Sequence, residues 1–531
     1  MSDQQNGLPE PEYLGGAAEP TEPDDTRSGP RWGLVAGAGI GVVAVVAAGG
    51  FGLAQLLSGS GSPADAVPAN ALAYASIDLD PSASQKIEAI QMMQKFPALK
   101  KELGLDARDD VRRWFFEDVV EGGCQGFSYD ADVAPWVGDR LAVAAMPDQG
   151  STVAPLVALQ VSDQDAAEQG LRKLADTCGD GEEVGVAFTG DYAVLTEKQA
   201  DAESFAAAAE ASPLSEDADY TAWTDRIGDP GVVSGYVSAE APARLMDLAA
   251  GEDVAPKGVV QDMVELYRDF EGAAGTLRFD DGRLELTVAT KGLPGGVAPV
   301  DAGQAPALGE LPASTAAALA VSFPEDWLED YLQSMGDLLG GGGPGADPGA
   351  FVQEIESATG LALPEDVETL LGDGVRVSLD SSFDPGAFAS SDVPEMPLGL
   401  RIHGDAAEID RVVDTLLQQV PPRERDALKR ASGDGYVVLG LDQAYVDGLA
   451  AGGGDLADDP SFQAVVPEAD RASSALFVSF DAGDWSTRLA EEMFGGDAEA
   501  QANLAPLDAL GISSWLGDDQ VQYGSFVLST D

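Results

Sequence analysis

The sequence predicts an α+β fold: a single N-terminal transmembrane helix followed by two tandem, similar domains of mainly antiparallel sheet with helices packed on one face. Three observations predict it. Residues 33–57 form a long uncharged stretch, structural motifs recur at an offset of about 240 residues, and short apolar strands at tight turns alternate with amphipathic helical segments. Antiparallel strands interrupted by helices are typical of α+β domains, in which the helices cover one face of the sheet.

Residues 1–32 are expected to form a disordered cytoplasmic tail. Five prolines stand there among polar and acidic residues, and this composition cannot bury enough apolar surface to fold. A short Ser/Gly stretch within residues 58–63 follows the uncharged segment and predicts a flexible spacer.

The uncharged segment, residues 33–57, is long enough to cross the ~30 Å hydrocarbon core, so we predict that it anchors the chain in the lipid bilayer. A cleavable signal peptide ending at Ala64–Ala66 is the alternative, but its apolar core would be shorter. Arg27 and Arg31 precede the segment, whereas no Lys or Arg follows it before Lys86. The positive-inside rule therefore predicts a cytoplasmic N-terminus and extracytoplasmic C-terminal domains.

Charge excludes several classes of partner. The chain of 531 residues has a formal net charge of −63, of which −58 lies after the predicted anchor. Such a field repels nucleic acid and anionic polymers, so we expect no nucleic-acid partner. A solvated acidic surface explains this charge, and a sink for divalent cations or a docking face for a basic partner is the alternative.

Cys124 and Cys178 are the two cysteines, and both fall in the part of the chain predicted to be exported. An oxidising compartment favours a disulfide between them, worth about 4 kcal/mol in the chain-entropy model. Two separate buried thiols remain the alternative, because sequence does not give the distance between the two Cα atoms.

Self-similarity predicts that the exported part is a duplication of one domain, with copies at residues 64–300 and 305–531. Val67–Ala71 recurs as Leu311–Thr315, each before an apolar strand. Further matched motifs place Gly138 with Gly372, Pro155 with Pro397, and Asp165 with Asp405.

Local signals indicate the elements of each copy. Asp405 and Glu408 are spaced as a capping box before apolar residues at helical intervals. Asp281-Gly282 predicts a hairpin, since this dipeptide suits the tightest hairpin turns. Two copies packed side by side would leave a groove between their sheets, and this groove is the predicted binding surface.

The pattern resembles a bacterial membrane-anchored family, domain of unknown function 3352. The resemblance rests on the N-terminal anchor, the opening Val67–Ala71, the step from Trp136 to Asp139 into a strand, and the segment Thr359–Asp373. It covers most of residues 64–531. The resemblance implies a membrane-associated exported domain, and it brings no activity, ligand or catalytic residue.

Few residues could carry catalysis. His403 is the single histidine, and it stands between an expected strand and a helix start, so we interpret it as a surface or capping-region residue rather than a ligand or base. The sequence contains no nucleophile elbow, no phosphate-binding Walker loop and no complete calcium loop. We therefore assign no catalytic, cofactor-binding or metal-binding residue and expect no cofactor.

Together these features predict a single-pass membrane-anchored extracytoplasmic protein with a duplicated, non-catalytic binding or scaffolding module at the bacterial cell envelope. Its partners would be the lipid bilayer and an envelope ligand or protein of unknown identity. An exported hydrolase that uses carboxylates is one alternative, because paired carboxylates need be close only in space. A divalent-cation-dependent adhesin is the other.

Overall fold

A computed structural model describes residues 62–78, 83–98, 128–148, 153–178, 184–251, 267–293, 307–323, 356–357, 359–386, 396–495 and 497–531. The predicted tail and transmembrane helix lie outside these ranges. So does Cys124, and with it the predicted disulfide. Within the ranges described, every helix is too short or too polar to cross a membrane.

The described residues contain twelve α-helices and sixteen β-strands. The helices are α1 (Ala83–Lys95), α2 (Gln164–Cys178), α3 (Gln199–Ala211), α4 (Ala218–Ile227), α5 (Ala241–Gly251), α6 (Glu365–Leu371), α7 (Ala406–Leu417), α8 (Pro422–Ala427), α9 (Gln443–Ala451), α10 (Pro460–Val465), α11 (Trp485–Phe494) and α12 (Ala498–Leu504). The strands are β1 (Ala73–Asp78), β2 (Val137–Pro147), β3 (Val153–Val161), β4 (Gly185–Thr189), β5 (Tyr192–Thr196), β6 (Val233–Ser238), β7 (Gly272–Asp280), β8 (Arg283–Lys291), β9 (Thr315–Ser322), β10 (Gly374–Asp380), β11 (Leu398–His403), β12 (Lys429–Gly433), β13 (Tyr436–Gly440), β14 (Ala472–Ser479), β15 (Leu507–Leu516) and β16 (Gln522–Thr530).

All sixteen strands belong to one antiparallel sheet, so the fold is α+β with a large antiparallel sheet. The order within the first half is β4-β5-β3-β2-β1-β6-β7-β8, and the order within the second is β12-β13-β11-β10-β9-β14-β15-β16. If the strands of each half are numbered from one in chain order, both orders read 4-5-3-2-1-6-7-8. Strands β8 and β16 join the halves edge to edge, with Thr287 opposite Ser525 at the centre of the joint.

Strand register also agrees between the halves. Ala75 faces Val143 in the β1–β2 pair, and Leu319 faces Val377 in the β9–β10 pair. The interval between Val143 and Val377 equals the interval between Gly138 and Gly372, which the sequence motifs matched.

The helix cap matched to Asp405 is Asp163, so the predicted match with Asp165 is wrong by two residues. The Asp163 carboxylate accepts a hydrogen bond from the Ala166 N–H at 3.0 Å, before α2. The Asp405 carboxylate accepts one from the Ala407 N–H at 2.9 Å, before α7. The sequence motif matched Asp405 with Asp165 because acidic residues stand both at the cap and in the first turn of α2.

One aromatic contact occurs in both halves. The rings of Tyr220 and Tyr236 meet edge to face with centroids 5.3 Å apart. The rings of Phe462 and Phe477 meet in the same way at 5.2 Å. In each pair, a residue from a short helix, α4 or α10, packs on a strand that follows it, β6 or β14. The packing of helix on sheet is therefore alike in the two halves.

Helices cover both faces of the sheet, and the prediction of one covered face is wrong. Leu141 and Leu159 belong to a core with α2, whereas their neighbours Ala142 and Ala158 belong to a core with α3 and α4. Successive residues of a strand point to opposite faces. Strands such as β5 are buried along their whole length, so each face needs its own layer of helices.

The predicted groove between two sheets is also absent from the described residues, because β8 and β16 pair directly and continue one sheet across the middle of the molecule.

Candidate functional site

Two arginines stand directly opposite each other in the second half of the sheet. Arg376 in β10 faces Arg401 in β11, and Arg376 is 2% exposed. Like charges at directly opposed positions destabilise a sheet, and a buried charge is costly without a partner. This pair is therefore the feature of the described residues that most needs a chemical explanation.

The contacts of Arg376 tie it to the start of the second half. Its Nη1 donates to the Ala307 carbonyl oxygen at 2.6 Å and lies 3.6 Å from a Glu310 carboxylate oxygen. Glu310 is 55% exposed, so water screens its charge. Burial, followed by the charge of Arg401, lowers the pKa of Arg376, although a guanidinium stays protonated in proteins.

Arg401 makes weaker contacts. Its guanidinium carbon lies 3.9 Å from the ring centroid of Tyr436, a cation–π arrangement. Its Nη1 donates to the Leu449 carbonyl oxygen at a long 3.3 Å. The Nε atom of Arg401 is buried and has no hydrogen-bond partner within the described part of the chain.

His403 follows Arg401 by two residues in β11 and so lies on the same face. It is the half-buried last residue of β11, two residues before the helix cap Asp405, so it lies in the expected capping region and not at the surface. Burial, then the charges of Arg401 and Arg376, lowers the pKa of His403 to about 4. The imidazole is therefore neutral at pH 7, and its buried Nε2 atom lacks a partner among the described residues.

Tyr445 of α9 closes one side of this cluster. Its hydroxyl donates to the Ser378 hydroxyl at 2.9 Å, and Ser378 is buried on the same face as Arg376. Burial raises the pKa of Tyr445 to about 12, so the phenol stays neutral. We call Arg376, Arg401, His403 and Tyr445 the arginine cluster.

The first half has no charge in the matching places. Ala142 faces Ala158 there as Arg376 faces Arg401, and both alanines are fully buried. The fold therefore forms without an arginine pair at these positions. A sequence signal for the arginine pair exists and was overlooked, since Arg376 stands between two valines and Arg401 between a leucine and an isoleucine.

Three carboxylates form a second cluster at the end of the sheet. Oxygen atoms of Asp481, Asp508 and Asp531 all lie within 4.8 Å of one another, close enough to share one metal ion. Asp508 also accepts hydrogen bonds from the hydroxyls of Ser461 and Ser529, at 2.8 and 2.7 Å. Burial, then the charges of Asp531 and Asp508, raises the pKa of Asp481. Oxygen ligands of this kind suit hard cations such as Ca²⁺.

Comparison with known proteins gives a family and little else. Residues 32–208 match the model of a family described as "Protein of unknown function (DUF3352)", which confirms the resemblance to this family over that part of the chain. No curated protein matches the chain. Two solved structures, crystal forms I and III of TP0453, are 11% and 9% identical over 45% and 44% of this chain, and each match covers 81% of the other chain. Both have a TM-score of 0.21, at which nothing is carried over.

Proposed function

We propose that the chain, whose residues 32–208 match that family of unknown function, is a single-pass membrane protein of the bacterial cell envelope. Residues 33–57 anchor it, residues 1–32 remain in the cytoplasm, and residues 58–531 form a duplicated, non-catalytic binding or scaffolding module outside the membrane. The uncharged stretch and the arginines before it support this topology.

The shared strand order of the two halves is the observation that carries the proposal. Two copies of one domain, joined through β8 and β16, explain why order, register and an aromatic contact all recur. A local twofold axis then passes near Thr287 and Ser525. A single broad sheet with covered faces is a rigid support, which suits presentation and binding.

Two of the partly buried carboxylates, Asp132 and Asp366, are poorly suited to general-acid catalysis. The side-chain hydrogen bond from Lys173 lowers the pKa of Asp132, at a separation of 2.7 Å. Burial raises the pKa of Asp366, but the Ala362 N–H and Arg411 outweigh it and leave the pKa lowered. Carboxylates held in this way stabilise the fold and are poor proton donors near neutral pH.

Turnover is the direct test. We expect the full chain, purified in detergent micelles, to leave ester, peptide and glycoside substrates unchanged. The variant that tests the hydrolase is Asp481→Asn, because the pKa of Asp481 is shifted upward, the direction that favours a general acid. Asp484→Asn is the matched control, since it removes an exposed carboxylate from the same loop. Turnover that Asp481→Asn abolishes and Asp484→Asn preserves would establish the hydrolase instead.

The carboxylates of Asp481, Asp508 and Asp531 favour a divalent-cation-dependent adhesin as the second candidate function. Its test is the thermal midpoint of the full chain with calcium and then with a chelator. A calcium-dependent rise that the chelator reverses and Asp508→Asn removes would support the adhesin. An unchanged thermal midpoint would contradict the cation-dependent adhesin.

A further inference from the structure

We propose that the arginine cluster binds a small carboxylate anion between β10, β11 and α9. The inference rests on the proposed binding function and gives it a ligand class. It starts from the direct opposition of Arg376 and Arg401, an arrangement that a third, negative group would stabilise.

Local charge favours a monoanion. The two guanidinium groups carry two positive charges, and a carboxylate oxygen of Glu310 lies 3.6 Å from Arg376. Asp373 acts on His403 from an exposed position, where water screens it. His403 is neutral and adds no charge. Glu310 and Asp380 offset part of the two guanidinium charges, and these carboxylates repel a monoanion less than they repel a phosphate dianion.

Unused donors give the site its chemistry. The Arg401 Nε and the His403 Nε2 are both buried without a partner in the described residues. A guanidinium presents its N–H groups in a planar fork that matches the two oxygens of a carboxylate. A neutral imidazole can donate from Nε2 when the proton resides there. The cluster thus offers donors from two adjacent residues of one strand face, beside the charge of Arg376.

The first half of the molecule provides the internal control. Ala142 and Ala158 fill the positions of the arginine pair, and Gln160 stands two residues beyond Ala158 as His403 stands beyond Arg401. The first half packs alanines at these positions, so the strand order and register do not depend on an arginine pair. The arginine pair places positive charge in the second half where the matching positions of the first half have none.

The test is anion titration of the full chain in detergent micelles. Sodium acetate is the probe, and sodium chloride at matched ionic strength gives the baseline. We expect acetate to raise the thermal midpoint with saturation, and isothermal titration calorimetry to show one site per chain. Arg401→Gln should raise the acetate concentration at half-saturation about tenfold, because it removes a charged hydrogen-bond donor.

Two further variants keep the result interpretable. His403→Gln installs the residue that the first half carries and should weaken acetate binding about threefold without loss of folding. Arg430→Gln removes the same charge from β12, where Arg430 pairs with Asp410 and Asp414, and should leave acetate binding unchanged. A non-saturating acetate response, or equal weakening by Arg401→Gln and Arg430→Gln, would overturn the proposal.

Phosphate separates the ligand classes. Tighter binding of inorganic phosphate than of acetate, lost in Arg401→Gln, would refute the carboxylate assignment. The turnover assays are independent of these titrations. Absent acetate binding with no turnover would reject the carboxylate site alone, and substrate turnover would reject the non-catalytic function.

Discussion

Phe462 and Phe477 provide the most discriminating test of the duplication, because their contact recurs as Tyr220 with Tyr236. The perturbation is a double-mutant cycle in each half. Phe462→Leu and Phe477→Leu are made singly and together, and Tyr220→Leu and Tyr236→Leu likewise. Leucine keeps an apolar side chain in the core and removes the ring edge and face that define the contact.

The structure sets the expected size of the effect. Phe477 and Phe462 are 1% and 3% exposed, so each ring is fully packed. Each single change to leucine should cost about 1–3 kcal/mol, below the 3–5 kcal/mol typical of Phe→Ala. The coupling between the two rings should be about 0.5–1.5 kcal/mol, which is typical of edge-to-face pairs. Tyr220 also meets Tyr74 at 5.7 Å, so its single change should cost more while the coupling to Tyr236 stays in the same range.

Denaturant unfolding followed by tryptophan fluorescence measures each variant. Phe477→Leu combined with Tyr236→Leu is the control, because β14 and β6 are five strand positions apart, roughly 24 Å. These changes should add within about 0.5 kcal/mol. If one aromatic pair couples by about 1 kcal/mol and the other by no more than the control, the two contacts are not equivalent and the argument from duplication fails.

Three further predictions concern stability, the sheet edge and topology. Asp366→Asn should lower the thermal midpoint at pH 7 by roughly 2–4 °C, since it removes a charged bond to Arg411. The folded pKa of Asp366 is lowered, so its stabilisation is present above the unfolded pKa near 4 and is lost as pH falls through the folded pKa. If Asp366→Asn lowers the thermal midpoint as much at pH 2 as at pH 7, this prediction is wrong. Gln199→Leu should speed amide hydrogen exchange at Val186 about fivefold or more, because the Gln199 side chain hydrogen-bonds both the N–H and the carbonyl of Val186 on edge strand β4. Unchanged exchange at Val186 would show that Gln199 does not protect this edge. Protease added to intact spheroplasts should degrade residues 58–531 and spare the leader, whereas digestion of the leader would reverse the proposed orientation.

Local elements of the fold could be predicted from the sequence. Asp281-Gly282 predicted a hairpin, and both residues have positive φ, 49° and 75°, in the turn between β7 and β8. Asp405 predicted a helix start, and its carboxylate accepts the N–H groups of Ala407 and Glu408. Turns and caps depend on residues within a few positions of one another, so their chemistry is visible in the sequence.

The joining of the halves and the arginine cluster could not be predicted in the same way. Pairing of β8 with β16 joins two strands that are far apart in sequence, and no local signal selects it. The contact of Arg376 with Arg401 requires the register of β10 and β11. A register shift of one residue would put either arginine on the other face, so a charged residue within a strand did not by itself reveal its partner.

The position of β16 in the middle of the sheet also determines when the protein can be completed. Strand β8 ends at Lys291, and its partner strand begins only at Gln522, near the end of the chain. At ~5–20 residues per second, synthesis of the intervening chain takes roughly 10–50 s, during which β8 is an unpaired edge. Chains on one polysome then carry identical open edges close together, and β8 of one could pair with β8 of another. Once β16 is synthesised, its nine residues cover the open edge of β8 and remove the risk of pairing between neighbouring chains.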